Sequence, residues 1–223
     1  MHQTPGYHGR YLRVDLATGL SQVKPLDDEV LKEYLGGSGL GVAILLAEGA
    51  AFADPLSPDA VLAFVFSPLV GSPLTTSAKF AVVSRSPLTL RINDSLASSG
   101  FAIEGKKTGF DAIVLVGQAS SLSVVIIDDH QVRIESAADL AGLSNQACHA
   151  LLRERLGTRF QFATIGPAGE NQVRFATISH DGRHAGRGGS GATMGSKRVK
   201  AIAVRGTQKV NWANPSGLAT LAK

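Results

Sequence analysis

Four short blocks occur twice in this chain, in the same order, and that repetition constrains the fold more than any other feature of the sequence. VLAFVFSPL (61–69) returns as FQFATIGPA (160–168), an apolar run that ends on Ser-Pro or Gly-Pro. KFAVVSR (79–85) returns as RFATISH (174–180), GFAIEGKK (100–107) as GATMGSKR (191–198), and DAIVLVG (111–117) as KAIAVRG (200–206). Every spacer between blocks is shorter in the second copy. A repeated unit builds the same supersecondary element twice. Each copy reads as strand, strand, small-residue loop, short helix, strand. The expected fold is therefore α+β, with two intertwined β-rich repeats related by a pseudo-two-fold axis.

The remaining segments support that class. Alternation over 11–16 predicts a strand, Ala17-Thr18-Gly19 a turn, and 21–24 a return strand. Asp27 or Asp28 caps a helix that runs to about Tyr34. GGSGLG (36–41) is expected to interrupt it before an apolar helix over 42–50. Strands are predicted over 122–128 and 131–135, turned by Asp128-Asp129-His130. Ser144 caps a helix to Leu156, and 172–179 reads as a strand. Many strands with few, short helices argue α+β rather than a regular βαβ array. Asn214-Pro215-Ser216 opens a helix of about two turns, marginal without partners. Residues 1–210 are thus read as one domain, and 211–223 as the start of a linker or helix toward further domains.

The two copies share small-residue loops ahead of their helices: Ala97-Ser98-Ser99-Gly100, and Gly186-Arg187-Gly188-Gly189-Ser190-Gly191. Small residues let ligand oxygens approach backbone N–H groups, and a helix N-terminus adds partial positive charge. Two such loops fit a ligand with two anionic arms, or two copies of one ligand. The alternative is that they allow tight packing about the pseudo-axis. Charge favours the first reading. The formal net charge is +4, yet residues 182–223 hold eight Lys and Arg and no Asp or Glu, leaving −4 for the first 181. An acid-free basic segment asks for phosphate or nucleic acid. No aromatic residue interleaves the basic loop, which argues against nucleic acid.

Other classes are excluded. With 44% hydrophobic and 18% charged residues the chain is not disordered. Its apolar runs, such as 61–66, are too short to cross a bilayer. The opening MHQTPGYHGRYLRV has no apolar secretory region, so a cytoplasmic location is expected. The single cysteine, Cys148, excludes disulfides and a self-contained iron–sulfur site, and it reads as core. Gly186-x-Gly188-x-x-Gly191 matches the dinucleotide fingerprint by letter, but no βαβ unit surrounds it and no acidic residue follows. Gly195-Ser196-Lys197 has the wrong order for a P-loop. His180, Asp181 and His184 read as a polar turn rather than metal ligands, and Glu170 as structural.

GYHGRYLRVDLATG (6–19), YLGGSGLGVAILL (34–46), DPLSPDAVLAF (54–64), SRSPLT (84–89), KKTGFDAIVLVG (106–117), IGPAGEN (165–171) and AGRGGSGATMGSKRVKAIAVRG (185–206) closely resemble the N-terminal domain of the aldehyde ferredoxin oxidoreductase family. These are tungsten or molybdenum enzymes with two pyranopterins and a [4Fe-4S] cluster. The resemblance implies a two-repeat base on which a bis-pyranopterin cofactor sits, with Mg²⁺ linking the pterin phosphates. It places Lys79 where the family has a cofactor-contacting arginine, and lysine lacks arginine's bidentate fork. Leu96 falls at an asparagine that helps hold the magnesium, which leaves Asn93 or Asp94, or the His184 backbone, for that part. Ser98 and Ser99 replace a Gly-Gly pair ahead of Gly100. Arg183, His184, Ala185 and Gly186 form the second cofactor loop, continued by Arg187, Gly188 and Gly189. The cluster cysteines and the substrate channel belong to later helical domains, so this chain alone is expected to be inactive. The implied whole oxidises aldehydes to carboxylic acids and passes electrons to ferredoxin. The implied partners are the remaining helical domains or a partner subunit, ferredoxin, and a second copy in a homodimer. A non-catalytic pterin- or phosphate-binding scaffold, or a subunit of a split enzyme, is the alternative.

Overall fold

A computed structural model describes residues 4–223, so residues 1–3 of the N-terminal stretch read above lie outside it. The first repeat contributes β1 (Arg10–Asp15), β2 (Ser21–Pro25), α1 (Asp28–Tyr34), α2 (Gly37–Ala47), β3 (Leu62–Phe66), β4 (Lys79–Arg85), β5 (Ile92–Ser98), α3 (Gly100–Lys107) and β6 (Ala112–Val116). The second contributes β7 (Ser123–Asp128), β8 (Gln131–Ser136), α4 (Asn145–Leu156), β9 (Gln161–Thr164), α5 (Pro167–Glu170), β10 (Ile178–His180), β11 (Arg183–Ala185), α6 (Ser190–Ser196) and β12 (Val199–Arg205). A last helix, α7 (Pro215–Leu221), buries none of its residues.

Each repeat makes one six-stranded sheet, and the two strand orders correspond one to one: β2-β1-β6-β3-β4-β5 and β8-β7-β12-β9-β10-β11. Pair directions match as well. Only β1–β6 and its counterpart β7–β12 run parallel; every other neighbour is antiparallel. The duplication is therefore larger than the four blocks, since it starts with the hairpins β1–β2 and β7–β8.

Strand alternation sorts the core into layers. In β3, Leu62, Phe64 and Phe66 face the space between the sheets, while Ala63 and Val65 face outward under α1 and α2. On the second sheet, Val124 and Ile126 meet Cys148 and Leu152 of α4. The space between the sheets holds α3 and α6, and each packs on strands of the other repeat as well as its own. Phe101 of α3 stacks against Phe64, Phe66 and Phe80, with ring centroids 5.7, 6.4 and 5.3 Å away. All seven residues of α6 are buried. This exchange of central helices is what intertwines the repeats.

Three segments differ from expectation. The helix breaks at Leu35–Gly36, as expected, but α2 begins inside the 36–41 glycine run rather than after it. Gly41 must be small there, because a Cβ would fall 2.4 Å from the Val83 side chain. Residues 172–179 are not one strand, and only Ile178–His180 pairs. Residues 92–98 and 183–185 form edge strands that no apolar alternation announced.

Candidate functional site

The candidate residues converge where the two outer hairpins meet. In the first repeat, Lys79 pairs with Ser98 and Ala81 with Leu96. In the second, Ser179 pairs with His184 and His180 with Arg183. Asp181 and Gly182 close that hairpin at φ of 47° and 70°, as a two-residue turn of this hand requires. The hairpins are stitched together. Asn93 Nδ2 donates to the Arg187 carbonyl (3.1 Å), the Arg187 N–H to Ser95 Oγ (3.1 Å), and the Gly100 N–H to Asp181 Oδ2 (2.8 Å).

Lys79, Leu96, Ala97, Ser98, His180, Arg183 and His184 line a depression of about 410 Å³. A second, of about 400 Å³, shares Lys79 and Leu96 and is walled by Phe80, Pro68 and Gly36–Gly39 at the start of α2. No side chain caps α2. Among the described residues Lys79, Arg183 and Arg187 form no ion pair. Cations left unpaired in this way form a face that an oxyanion can neutralise, so a phosphate-bearing group fits the residues present. The wall at Gly36–Gly39 was missed as part of the site, although Gly-Gly-Ser-Gly is a visible signal.

The small-residue loops resolve differently from the phosphate-cradle reading. Ser99 caps α3 by accepting from the Phe101 N–H (3.2 Å), and Asp181 takes the Gly100 N–H, so the start of α3 is already satisfied. At α6, the Gly191 N–H goes to the Ala176 carbonyl (3.0 Å). Gly188 and Gly189 have φ of +69° and +75°. A Cβ on them would lie 2.0 Å from Asn93 Cγ and 1.9 Å from the Arg174 carbonyl oxygen. Ala185 is buried in the central core. These loops are filled by the protein itself, because other segments of the chain pass close there. Gly186 is different: a Cβ there meets nothing nearer than 3.8 Å. The open face is thus Lys79, Leu96, Ser98, Arg183, His184, Gly186 and Arg187.

The residues expected to reach magnesium are partly engaged within the protein. Besides binding the Arg187 carbonyl, Asn93 abuts Gly188. Asp94 accepts from Ser38 Oγ (2.5 Å). No group of three His, Cys, Asp or Glu gathers for a metal among the described residues. His184 exchanges a hydrogen bond with Thr177 Oγ1 (3.1 Å). Leu96 is 68% exposed in the middle of the face. The strand pairings carry Ile92–Gly100 onto Arg183–Gly191 without a gap, so Leu96 occupies the position that Arg187 holds in the other repeat.

Burial pushes the His180 imidazole down to about 4 from its ordinary 6.5. The unfolded ring protonates near 6.5 and the folded one near 4, so the unfolded chain binds more protons between those values. Stability is expected to fall as pH drops from 6.5 toward 4, and less so in His180→Phe. Urea unfolding at a series of pH values checks this, and parallel curves for the two proteins would contradict it. Burial likewise pushes the Cys148 thiol up to about 11, so it is inert core rather than a cluster ligand. Glu170 binds Lys200 Nζ and the Gly142 N–H, which confirms its structural part. Lys197 Nζ is tied to the Gly117 carbonyl (2.9 Å), far from P-loop chemistry.

Fold and face together define a duplicated α+β domain that presents a cationic platform at the junction of its repeats. The chain belongs to the aldehyde ferredoxin oxidoreductase family: residues 11–206 match the model for "Aldehyde ferredoxin oxidoreductase, N-terminal domain". It is 42% identical over 207 residues to a tungsten-containing aldehyde ferredoxin oxidoreductase of Pyrococcus furiosus, which covers 92% of this chain and 34% of the relative. It is 33% identical over 218 residues to an aliphatic sulfonate oxidoreductase, WOR-like subunit, of the same organism, covering 90% and 35%. Among solved structures it resembles the active site complex BamBC of benzoyl coenzyme A reductase. The TM-score there is 0.90 at 33% identity, over 94% of this chain and 32% of that one. The chain spans about a third of the length of these relatives. No helix among the described residues is long and apolar enough to cross a membrane.

Proposed function

We propose that this chain is the cofactor-binding base of a tungsten-pterin oxidoreductase that converts aldehydes to carboxylic acids with ferredoxin as acceptor. It acts together with further helical domains or a partner subunit. The observation that carries this reading is the face of unpaired cations, Lys79, Arg183 and Arg187, built jointly by both repeats. Lys79 and Arg183, with Arg187 beside them, would hold the phosphate ends of the bis-pyranopterin, and Ser98 and the open Gly186 would admit its edge. Asn93 or the His184 backbone would reach a linking Mg²⁺. When bound, the cofactor supplies the two-electron oxygen-transfer chemistry, while the chain's own residues position it and balance its charge. Tungsten is favoured over molybdenum by the relatives' names. A [4Fe-4S] cluster needs cysteines beyond the one here, and Cys148 is buried.

A second reading, a cofactor-holding scaffold or one subunit of a split enzyme, is favoured by Leu96 at the centre of the face and by the relative named as a subunit. One experiment tests the site: tungsten and pterin content of the native assembly carrying Lys79→Ala with Arg183→Ala. The content is expected to fall at least about tenfold, as when two charge-assisted contacts are lost, with the melting temperature unchanged. Unchanged content, or no tungsten in the unmutated assembly, overturns the reading.

A further inference from the structure

The segment after β12 walls a further cavity, which the cofactor reading leaves unused. Residues 206–212 run across the body and are tied at two points. The Gln208 N–H donates to the Lys107 carbonyl (2.8 Å), and the Asn211 carbonyl accepts the Gly6 N–H (2.8 Å). Between those ties the segment encloses about 410 Å³ against α3 and the loop after β3. Cavities that take small ligands span about 300–1,000 Å³ and are mostly apolar, with a few placed polar groups. This one has that make-up. Val70, Ile103, Val210 and Trp212 supply apolar walls. Gly71 leaves one side open, because a Cβ there would meet nothing within 4 Å.

The charge of the lining is one-sided: it holds three lysines and no acidic residue. Two of the lysines are engaged, Lys106 Nζ by Asp111 (2.5 Å) and Lys107 Nζ by Glu104 (2.7 Å). Lys209 is exposed and forms no ion pair among the described residues. Gln208 and Trp212 are half-buried. Their side-chain N–H groups make no hydrogen bond among the described residues, and neither is sealed from solvent. A free ammonium and free donors around apolar walls select an anion with an apolar body.

We propose that this cavity binds an apolar monocarboxylate. Its hydrocarbon or aromatic body lies against Ile103, Val210 and Trp212, and its carboxylate is held by Lys209 Nζ with the Gln208 amide as a second donor. Inorganic phosphate lacks the apolar body and is a poor fit to these walls. The cavity shares no lining residue with the two depressions around Lys79 and Leu96, so the proposal does not depend on the tungsten-pterin reading. Carboxylic acids are also the products of the reaction proposed above, so that product belongs to the class bound here.

The test is ¹⁹F NMR of 4-fluorobenzoate titrated with the native assembly carrying this chain. Saturable binding is expected. Lys209→Gln should weaken it about three- to tenfold, the loss of one charged contact at an exposed group. Lys209→Arg, which keeps the charge, should stay within about twofold of the unmutated assembly. 4-Fluorobenzyl alcohol has the same ring without the charge and should bind at least about threefold more weakly. Acetate has the charge without the apolar body and should not displace the probe. No saturable binding, equal affinity for the alcohol, displacement by acetate, or unchanged affinity in Lys209→Gln overturns the proposal. A cavity covered by other parts of the assembly gives the first of these results. The tungsten-pterin reading stands or falls separately, on the metal content of the assembly, which Lys209→Gln should leave unchanged.

Discussion

Gly189→Ala is expected to leave little folded protein. Gly189 is buried at φ +75°, in the left-handed region, and precedes α6, all of whose residues are buried. An alanine in that conformation costs about 1–2 kcal/mol by itself. Its Cβ would lie 1.9 Å from the Arg174 carbonyl oxygen, with Pro87 at 3.1 Å on another side. No rotamer relieves a clash between a Cβ and backbone, so α6 or the 174–176 segment must move. Either movement opens the central core between the sheets. The combined loss is expected to be on the order of 5 kcal/mol, comparable to the whole stability of a domain this size. Gly186→Ala, three residues earlier with open space around it, should melt within about 2 °C of the unmutated chain. Thermal unfolding of the two variants makes the comparison. A Gly189→Ala protein that melts close to the original would mean the loop is not closed by the 174–176 segment.

That contrast also explains what sequence could and could not convey about the site. Small residues ahead of a helix are consistent with both a ligand cradle and a close backbone crossing, because both need the Cβ removed. Gly186 and Gly189 are indistinguishable as letters. What separates them is the tertiary packing, the Arg174 carbonyl beside one and open space beside the other, which the letters do not carry. Arg183 and Arg187 were legible as cations of the acid-free 182–223 segment, and Lys79 only through the family resemblance. His180 was not. Beside Asp181-Gly182 it looks like part of a polar turn, and only the packing of Phe80 shows that its ring turns inward.

The fold was more legible than the site, for a physical reason. Blocks such as 61–69 and 111–117 are buried on both faces, so they read as continuous apolar runs with a clear strand signature. The edge strand Ile92–Ser98 has the opposite character. INDSLAS is exposed or half-buried at five of its seven positions, with Ser95 and Ala97 turned inward, and its pairing with β4 rather than its own residues makes it a strand. β11 is three residues long, but the Asp181-Gly182 dipeptide before it is a hairpin signal. Read as such, it predicts the return strand Arg183–Ala185, though not the shortening of the strand expected over 172–179.

Asp111→Ala is expected to be nearly as damaging as the glycine change, for electrostatic reasons. Asp111 is wholly buried. It accepts the N–H groups of His8, Gly9 and Arg10, the closest at 2.8 Å, and the Lys106 ammonium at 2.5 Å. Lys106 is equally buried, and burial pushes its pKa down against the opposing pull of Asp111. Removing the carboxylate strands the ammonium and three backbone donors at the point where the chain enters β1. Breaking such a pair typically costs about 3–5 kcal/mol. Lys106→Met with Asp111→Ala should recover part of that loss by removing the stranded charge. Recovery stays incomplete because the three donors remain unsatisfied. Urea midpoints in the order unmutated, double variant, single variant are expected. A double variant no better than Asp111→Ala would show that the ammonium is not what the carboxylate stabilises. The second repeat reaches the same end by other means. Its counterparts, Lys197 and Lys200, are both buried lysines, satisfied by the carbonyls of Gly117 and Leu143 and by Glu170. Two copies of one topology thus fix the same junction with different charges, so the pairing pattern, not any one ion pair, is what the duplication preserves.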